Sequence, residues 1–111
     1  MDADDAMRAL CAAWERLDAG AVAALFAPDG VYEGPLFDEF PVGPDAVLAA
    51  CTAAFAELTE VEIPLRALAA TATHALAEGR FVCVDTAGAR LDFPLVMVAE
   101  VRDGRVDADE A

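Results

Sequence analysis

The chain contains no lysine, serine, asparagine or glutamine. Those absences remove a serine nucleophile, a Schiff-base lysine and a side-chain amide donor for an oxyanion. Basic residues are scarce: seven, all arginine, against 21 Asp and Glu, which leaves a formal net charge of -14. A surface of that sign repels phosphate backbones and anionic bilayers, so neither nucleic acid nor a membrane is an expected partner. Cysteine is limited to Cys11, Cys51 and Cys83, odd in number and widely spaced. No CxxC or Cys/His cluster is present, which predicts no metal site and free, buried thiols in a reducing compartment. Long apolar runs are missing as well, none approaching the ~20 residues of a membrane-spanning helix. The opening Met1-Asp2-Ala3-Asp4-Asp5 is acidic, unlike a secretory signal. Together these features predict a cytoplasmic protein.

What remains is strongly apolar. Hydrophobic residues make up 58% of 111 positions, enough for a real core, and the length suits one domain spanning 1–111. Met7, Leu10, Trp14 and Leu17 recur at helical spacing behind a run of carboxylates, predicting a first helix over 3–18. Gly20 is expected to break it, with Val22, Leu25 and Phe26 on a short second helix. Pro28-Asp29-Gly30 reads as a turn into a strand over Val31–Gly34. Residues 35–43 read as a loop with three large apolar side chains, Leu36, Phe37 and Phe40. Pro44-Asp45 opens a third helix to about Leu58, with Leu48, Cys51, Phe55 and Leu58 as its buried stripe.

The rest predicts an antiparallel meander: one strand over Ile63–Leu76, a turn at Glu78-Gly79, a strand over Arg80–Thr86, a turn at Ala87-Gly88-Ala89, and a strand over Leu91–Arg102. Asp103-Gly104 is a hairpin signal before a last strand from Arg105 to about Asp109. The segment Phe93–Val101 is apolar on both faces, so both faces are expected to be covered, one by helices and one by a second subunit. A homodimer is predicted on that ground.

Several of these pieces resemble one family. The helix–turn–strand stretch Leu17–Pro35, then Gly43-Pro44-Asp45-Ala46-Val47, Glu78-Gly79-Arg80-Phe81-Val82, and Pro94–Val98 followed by Arg102–Val106 are similar, in order, to the nuclear transport factor 2-like superfamily. That superfamily includes the SnoaL-like cyclases and the ketosteroid isomerases. The resemblance implies an α+β cone-shaped barrel: three N-terminal helices packed on a curved antiparallel sheet around a pocket. It also implies small-molecule chemistry without a cofactor. The isomerases of the superfamily use a carboxylate base and a Tyr–Asp donor pair. Matching positions here are Gly34 for the base, Val96 for the Asp, and Ala13 or Trp14 for the Tyr, so all three groups are replaced. In the limonene-epoxide-hydrolase-like branch, Tyr32 matches a water-holding Tyr, Gly34 replaces an Asn, Asp85 matches a central Asp and Cys83 replaces an Arg. The last strand ends at Ala111, before or just at the position of that branch's further Asp, so at best two of its five groups are kept here.

Two side chains are the expected catalytic pair. Asp85 shares a strand face with Phe81 and Cys83 in an apolar run, where desolvation favours a general acid or base. Tyr32 can orient a ligand or water if it faces the concave side. Around them, Trp14, Gly34, Phe37, Phe40, Cys51, Phe55, His74, Cys83, Val96 and Val98 are the expected ligand-binding positions, although His74 on its strand also reads as a packed or surface residue. The predicted function is binding of a small, largely apolar molecule, with acid/base turnover of isomerase, cyclase or hydrolase type. The alternative is a non-catalytic binding domain or dimeric scaffold.

Overall fold

The computed structural model describes residues 1–111. Helix α1 (Ala3–Glu15) starts where Asp2 accepts the Asp5 N–H at 2.9 Å, with Asp4 and Asp5 in its first turn against the helix dipole. Its buried stripe includes Ala3, Ala6, Met7, Leu10, Cys11 and Trp14. The helix ends earlier than the periodicity predicts because Leu17 takes φ 55°, a left-handed stop. Asp18 then caps α2 (Ala19–Ala23) by accepting the Ala21 N–H at 3.0 Å, so Gly20 lies inside that helix and does not act as a breaker.

Strand β1 (Phe26–Glu33) begins five residues before the expected Val31, absorbing Pro28-Asp29-Gly30 as an irregularity in its register. Pro28 is tolerated there because the irregularity spares the missing N–H. The loop that follows is pinned at its far end, where Pro41 C=O accepts the Tyr32 N–H at 3.0 Å and Gly30 C=O accepts the Gly43 N–H at 2.8 Å. Helix α3 (Pro44–Ala56) opens on proline in its first turn and buries Val47, Cys51 and Phe55. Leu48, expected in its stripe, is exposed.

Five strands complete the sheet: β2 (Leu58–Glu62), β3 (Leu65–Ala70), β4 (His74–Asp85), β5 (Arg90–Arg102) and β6 (Arg105–Glu110). The order is β1-β6-β5-β4-β2, with β3 also pairing β4. Two expectations fail here for one reason. The stretch Ile63–Leu76 is not one strand, and Glu78-Gly79 is not a turn. Pro64 interrupts the first, and the chain reverses at Thr71–Thr73, where Thr71 Oγ1 accepts the Thr73 and His74 N–H groups. Gly79 runs inside β4, and a Cβ there would stand 1.9 Å from the Pro64 carbonyl oxygen. Glycine is present to let two backbones approach, not to turn. Of the other expected turns, those at Gly88 (φ 85°) and Asp103-Gly104 (φ 53° and 76°) form, whereas Pro28-Asp29-Gly30 lies inside β1.

The sheet is mixed and not wholly antiparallel, because β1 pairs β6 in parallel. Three helices pack on this strongly curled half-barrel in an α+β fold. Along β5, Leu95, Met97, Ala99 and Val101 are buried while Val96, Val98 and Glu100 are exposed. The helices cover only the inner face, so this apolar strand alternates in burial despite its sequence.

Candidate functional site

Trp14, on the inward stripe of α1, is the hub of the inner face. Its ring lies 4.7 Å from Phe55, 5.8 Å from Phe81, 6.2 Å from Phe37 and 6.4 Å from Tyr32, mostly edge to face. Tyr32 also meets Phe37 at 5.1 Å and Phe26 at 5.2 Å. Such pairs contribute roughly 0.5–1.5 kcal/mol each beyond the area they bury. Among them sits a small cavity of about 10 Å³, room for one water molecule. Leu10, Cys11 and Trp14 wall it from α1, Tyr32 and Pro35 from β1 and its loop, and Phe81, Leu95 and Met97 from the sheet. Cys11 Sγ and Met97 Sδ are in contact at 4.0 Å.

Beside this cavity lies a carboxyl group that no sequence signal marks. Asp109 is 1% exposed, and neither of its carboxyl oxygens has a hydrogen-bond partner. It stands opposite Tyr32 in the β1–β6 ladder and opposite Ala99 in the β5–β6 ladder. Two residues on, Ala111 touches the cavity. Burial pushes the Asp109 carboxyl well above its ordinary 3.8, and the Glu110 charge adds to the effect. Burial likewise raises the Tyr32 hydroxyl, with Asp109 second, and lifts the Cys11 thiol to about 12. Burial therefore favours the neutral form of all three groups. The Trp14 indole N–H is also buried, making no well-formed hydrogen bond but lying against the Tyr32 hydroxyl, whose ionised form it favours. The inner face thus offers neutral polar groups in an apolar enclosure, an arrangement suited to one oxygen or nitrogen on an otherwise apolar molecule.

The reason Asp109 escapes notice is geometric. The tail reads as a short last strand from Arg105 to about Asp109, and simple alternation puts Asp109 on the face opposite Val106. Yet the register slips by one residue between Glu100↔Ala108 and Val101↔Val106, leaving Asp107 as the extra residue of a bulge. That slip reverses the alternation, turning Asp109 inward with Val106. Asp107 instead pairs with Arg102 at 2.9 Å.

Of the residues predicted from sequence, Trp14 and Tyr32 wall the cavity, and Phe37 and Phe55 pack on the same ring cluster. Gly34 lies beneath the Phe37 ring, where a Cβ would meet Phe37 Cε2 at 2.7 Å. Asp85 stands elsewhere. It ends β4, and its Oδ1 accepts the Ala87 and Ala89 N–H groups at 2.9 and 2.8 Å, so the carboxylate closes the β4–β5 turn. The apolar run expected to bury it stops one residue short. His74 faces outward, its Nε2 3.0 Å from Glu100 and its Nδ1 2.8 Å from Thr73 Oγ1. Val96 and Val98 also face outward, by the alternation of β5. Phe40 is exposed at the loop tip, while Cys51 on α3 and Cys83 on β4 are buried away from the cavity wall. No group of three or more His, Cys, Asp or Glu side chains is arranged to hold a metal ion. No helix is long and apolar enough to cross a membrane.

Residues 7–108 match the SnoaL-like domain. The chain belongs to the SnoaL-like family. No curated protein sequence matches it. Among solved structures, this SnoaL-like chain is similar to a protein of ketosteroid isomerase-like fold from Catenulispora acidiphila, in complex with trimethylamine. They share 18% identity at a TM-score of 0.84, over 97% of this chain and 84% of the other. A candidate polyketide cyclase from Xanthomonas campestris is 19% identical at a TM-score of 0.80, over 96% and 86% of the two chains. TerC, co-crystallised with polyporic acid, is 15% identical at 0.79, over 96% and 87%. At these identities the likeness establishes the fold.

Proposed function

We propose that this SnoaL-like protein binds a small, largely apolar molecule at the inner-face cavity and acts on it by acid/base chemistry of isomerase, cyclase or hydrolase type, without a cofactor. The observation that carries this reading is Asp109, an unpartnered carboxyl buried beside Tyr32. Native proteins rarely leave such a group unpaired, at a cost of roughly 1–3 kcal/mol, unless it has a task. The acid/base role expected of Asp85 passes to Asp109 in this proposal. A carboxyl whose neutral form is favoured by burial donates a hydrogen bond or proton to a carbonyl or epoxide oxygen, and Tyr32 orients the same oxygen. The family and its small-molecule-bound neighbours support ligand binding in this fold.

A thermal-shift screen of steroids, polyketide fragments and epoxides tests the reading. A ligand that stabilises the wild type, with turnover lost in Asp109→Asn and retained in Asp85→Asn, supports it. Equal turnover by the wild type and Asp109→Asn removes Asp109 from the chemistry.

One observation favours a second reading. The interior is nearly filled by Trp14, Phe37, Phe81 and Met97, which suits a non-catalytic dimeric scaffold. The outer sheet face leaves Leu68, Val96 and Val98 exposed, and a second copy is the proposed cover. Light scattering at micromolar concentration decides this point, a monomer removing the dimer. The three free cysteines favour a reducing, cytoplasmic setting.

A further inference from the structure

We propose that Arg102 is the positioning residue for Asp109: by holding Asp29 and Asp107 on one nitrogen, it keeps β6 in the slipped register that turns the Asp109 carboxyl inward. Its bearing on function rests on the reading that Asp109 acts at the inner face.

The slip has a defined starting point. Val106 is held on both sides, opposite Val101 in β5 and with its N–H on the Leu25 carbonyl at 2.8 Å. From there two registers are open to the chain. With Asp107 as an extra residue, Ala108 lies opposite Glu100 and Asp109 faces inward, as found. Without it, Asp107 would stand opposite Glu100 and Ala108 opposite Ala99, and alternation would turn Glu110 inward in place of Asp109. Backbone hydrogen bonds are of the same kind in both registers. Each register also sends one carboxyl inward. The choice therefore falls to the side chains on the outer face.

There Asp107 meets another carboxylate either way. The regular register sets it against Glu100, and the slipped one sets it near Asp29, in the irregular part of β1 between Phe26 and Val31. Arg102 resolves the second contact. Its Nη2 lies 2.9 Å from Asp107 Oδ1 and 3.3 Å from both carboxylate oxygens of Asp29. One guanidinium thus ties together the odd residue of β6 and the irregularity of β1. An exposed ion pair contributes little to folding as a whole, but a small contribution suffices to choose between two registers. With Arg102 gone, both registers carry a like-charge contact and neither is selected.

The test is NMR and urea unfolding on the full chain. In the wild type, cross-strand contacts place Ala108 opposite Glu100 alone. In Arg102→Ala, contacts of Ala108 with both Glu100 and Ala99 are expected, and amide exchange over residues 108–110 is expected to quicken about ten-fold or more. Arg102→Met, which keeps the aliphatic stem, serves where Arg102→Ala does not fold. Arg102→Lys is expected to restore the single register, because one nitrogen serves both carboxylates.

The pH profile reads the carboxyl itself. The titratable groups near Asp109 are Tyr32 from β1, Cys11 from α1 and Glu110 beside it on β6, while its β5 partner is Ala99. The stability difference between the wild type and Asp109→Asn changes between pH 5 and 8. On the Arg102→Ala background its slope is expected to fall to about half or less. Mere loss of a surface ion pair would leave that slope intact. A single register in Arg102→Ala, or a slope as steep as in the wild type, overturns the positioning role. Failure of Arg102→Lys to restore the register overturns it as well, since charge is then not what holds Asp107. Equal turnover by the wild type and Asp109→Asn would instead remove Asp109 from the chemistry and leave the control of register with Arg102.

Discussion

Tyr32 and Asp109 face each other across the only parallel ladder of the sheet, 2% and 1% exposed. A phenol and a carboxyl so placed both favour the neutral form, because ionising either puts a charge in an apolar enclosure.

The Asp109 carboxyl makes stability depend on pH in a defined direction. Its folded-state pKa is raised well above the unfolded 3.8, so the unfolded chain releases the proton first as pH rises. The contribution is fully present below about pH 4 and declines toward the folded pKa at about 1.4 kcal/mol per pH unit. Asp109→Asn carries no such term. Urea unfolding between pH 5 and 8 is expected to show Asp109→Asn gaining on the wild type as pH increases. Parallel stability profiles would show that Asp109 ionises alike in both states.

All three thiols are expected to be inert in the native protein. Burial lifts Cys11 and Cys51 to about 12 and raises Cys83. Thiolate, not thiol, is the reactive form. A chromogenic disulfide reagent at pH 8 is expected to label none of them rapidly and all three in denaturant. Fast labelling of a native cysteine would place that thiol at the surface.

Gly79→Ala is expected to cost about 2–4 kcal/mol, through strain between β4 and the Pro64 carbonyl. Gly88→Ala meets no atom within 4 Å and is strained only by its φ of 85°, so its loss is expected to be smaller, about 1 kcal/mol. Chemical denaturation of both variants makes the comparison, and equal losses would contradict the close-approach role of Gly79.

The charge imbalance predicts stabilisation by salt. With 21 acidic side chains against seven arginines, self-repulsion opposes the compact state. Raising NaCl from 0.05 to 1 M shortens the screening length to about 3 Å and is expected to raise the melting temperature by roughly 4 °C or more. A melting temperature unmoved by NaCl would show that the arginine pairs, such as Arg80–Asp92 at 2.7 Å, already neutralise the relevant field.

The sequence makes α1, α3 and the Asp103-Gly104 hairpin legible, because their signals are local: capping carboxylates, a proline in the first turn, two residues that accept positive φ. The resemblance to the superfamily likewise rests on such local pieces. Gly79 misleads because a glycine that yields to a neighbouring backbone and one that turns a chain are alike in sequence. Asp85 misleads because strand alternation does not say where the sheet ends. Asp109 is illegible for the opposite reason: one bulged residue, Asp107, inverts the face of all that follows. Trp14, Tyr32, Phe37 and Phe55 gather on the inner face as aromatic residues do, so half of the site is readable and its one buried carboxyl is not.

The parallel ladder also fixes an order of events. A ribosome delivers β1 well before β6, so the pairing of Phe26–Glu33 with the 105–110 strand is the longest-range closure in the sheet. Contacts so far apart in sequence slow folding, since the intervening chain must be ordered before they form. A nascent chain arrested before Arg105 therefore carries Tyr32 with an empty place beside it and two strand edges, β1 and β5, with no neighbour. Such arrested chains are expected to be cut by protease along β1, and the completed chain to resist. The inner chamber comes into being only when β6 joins β1.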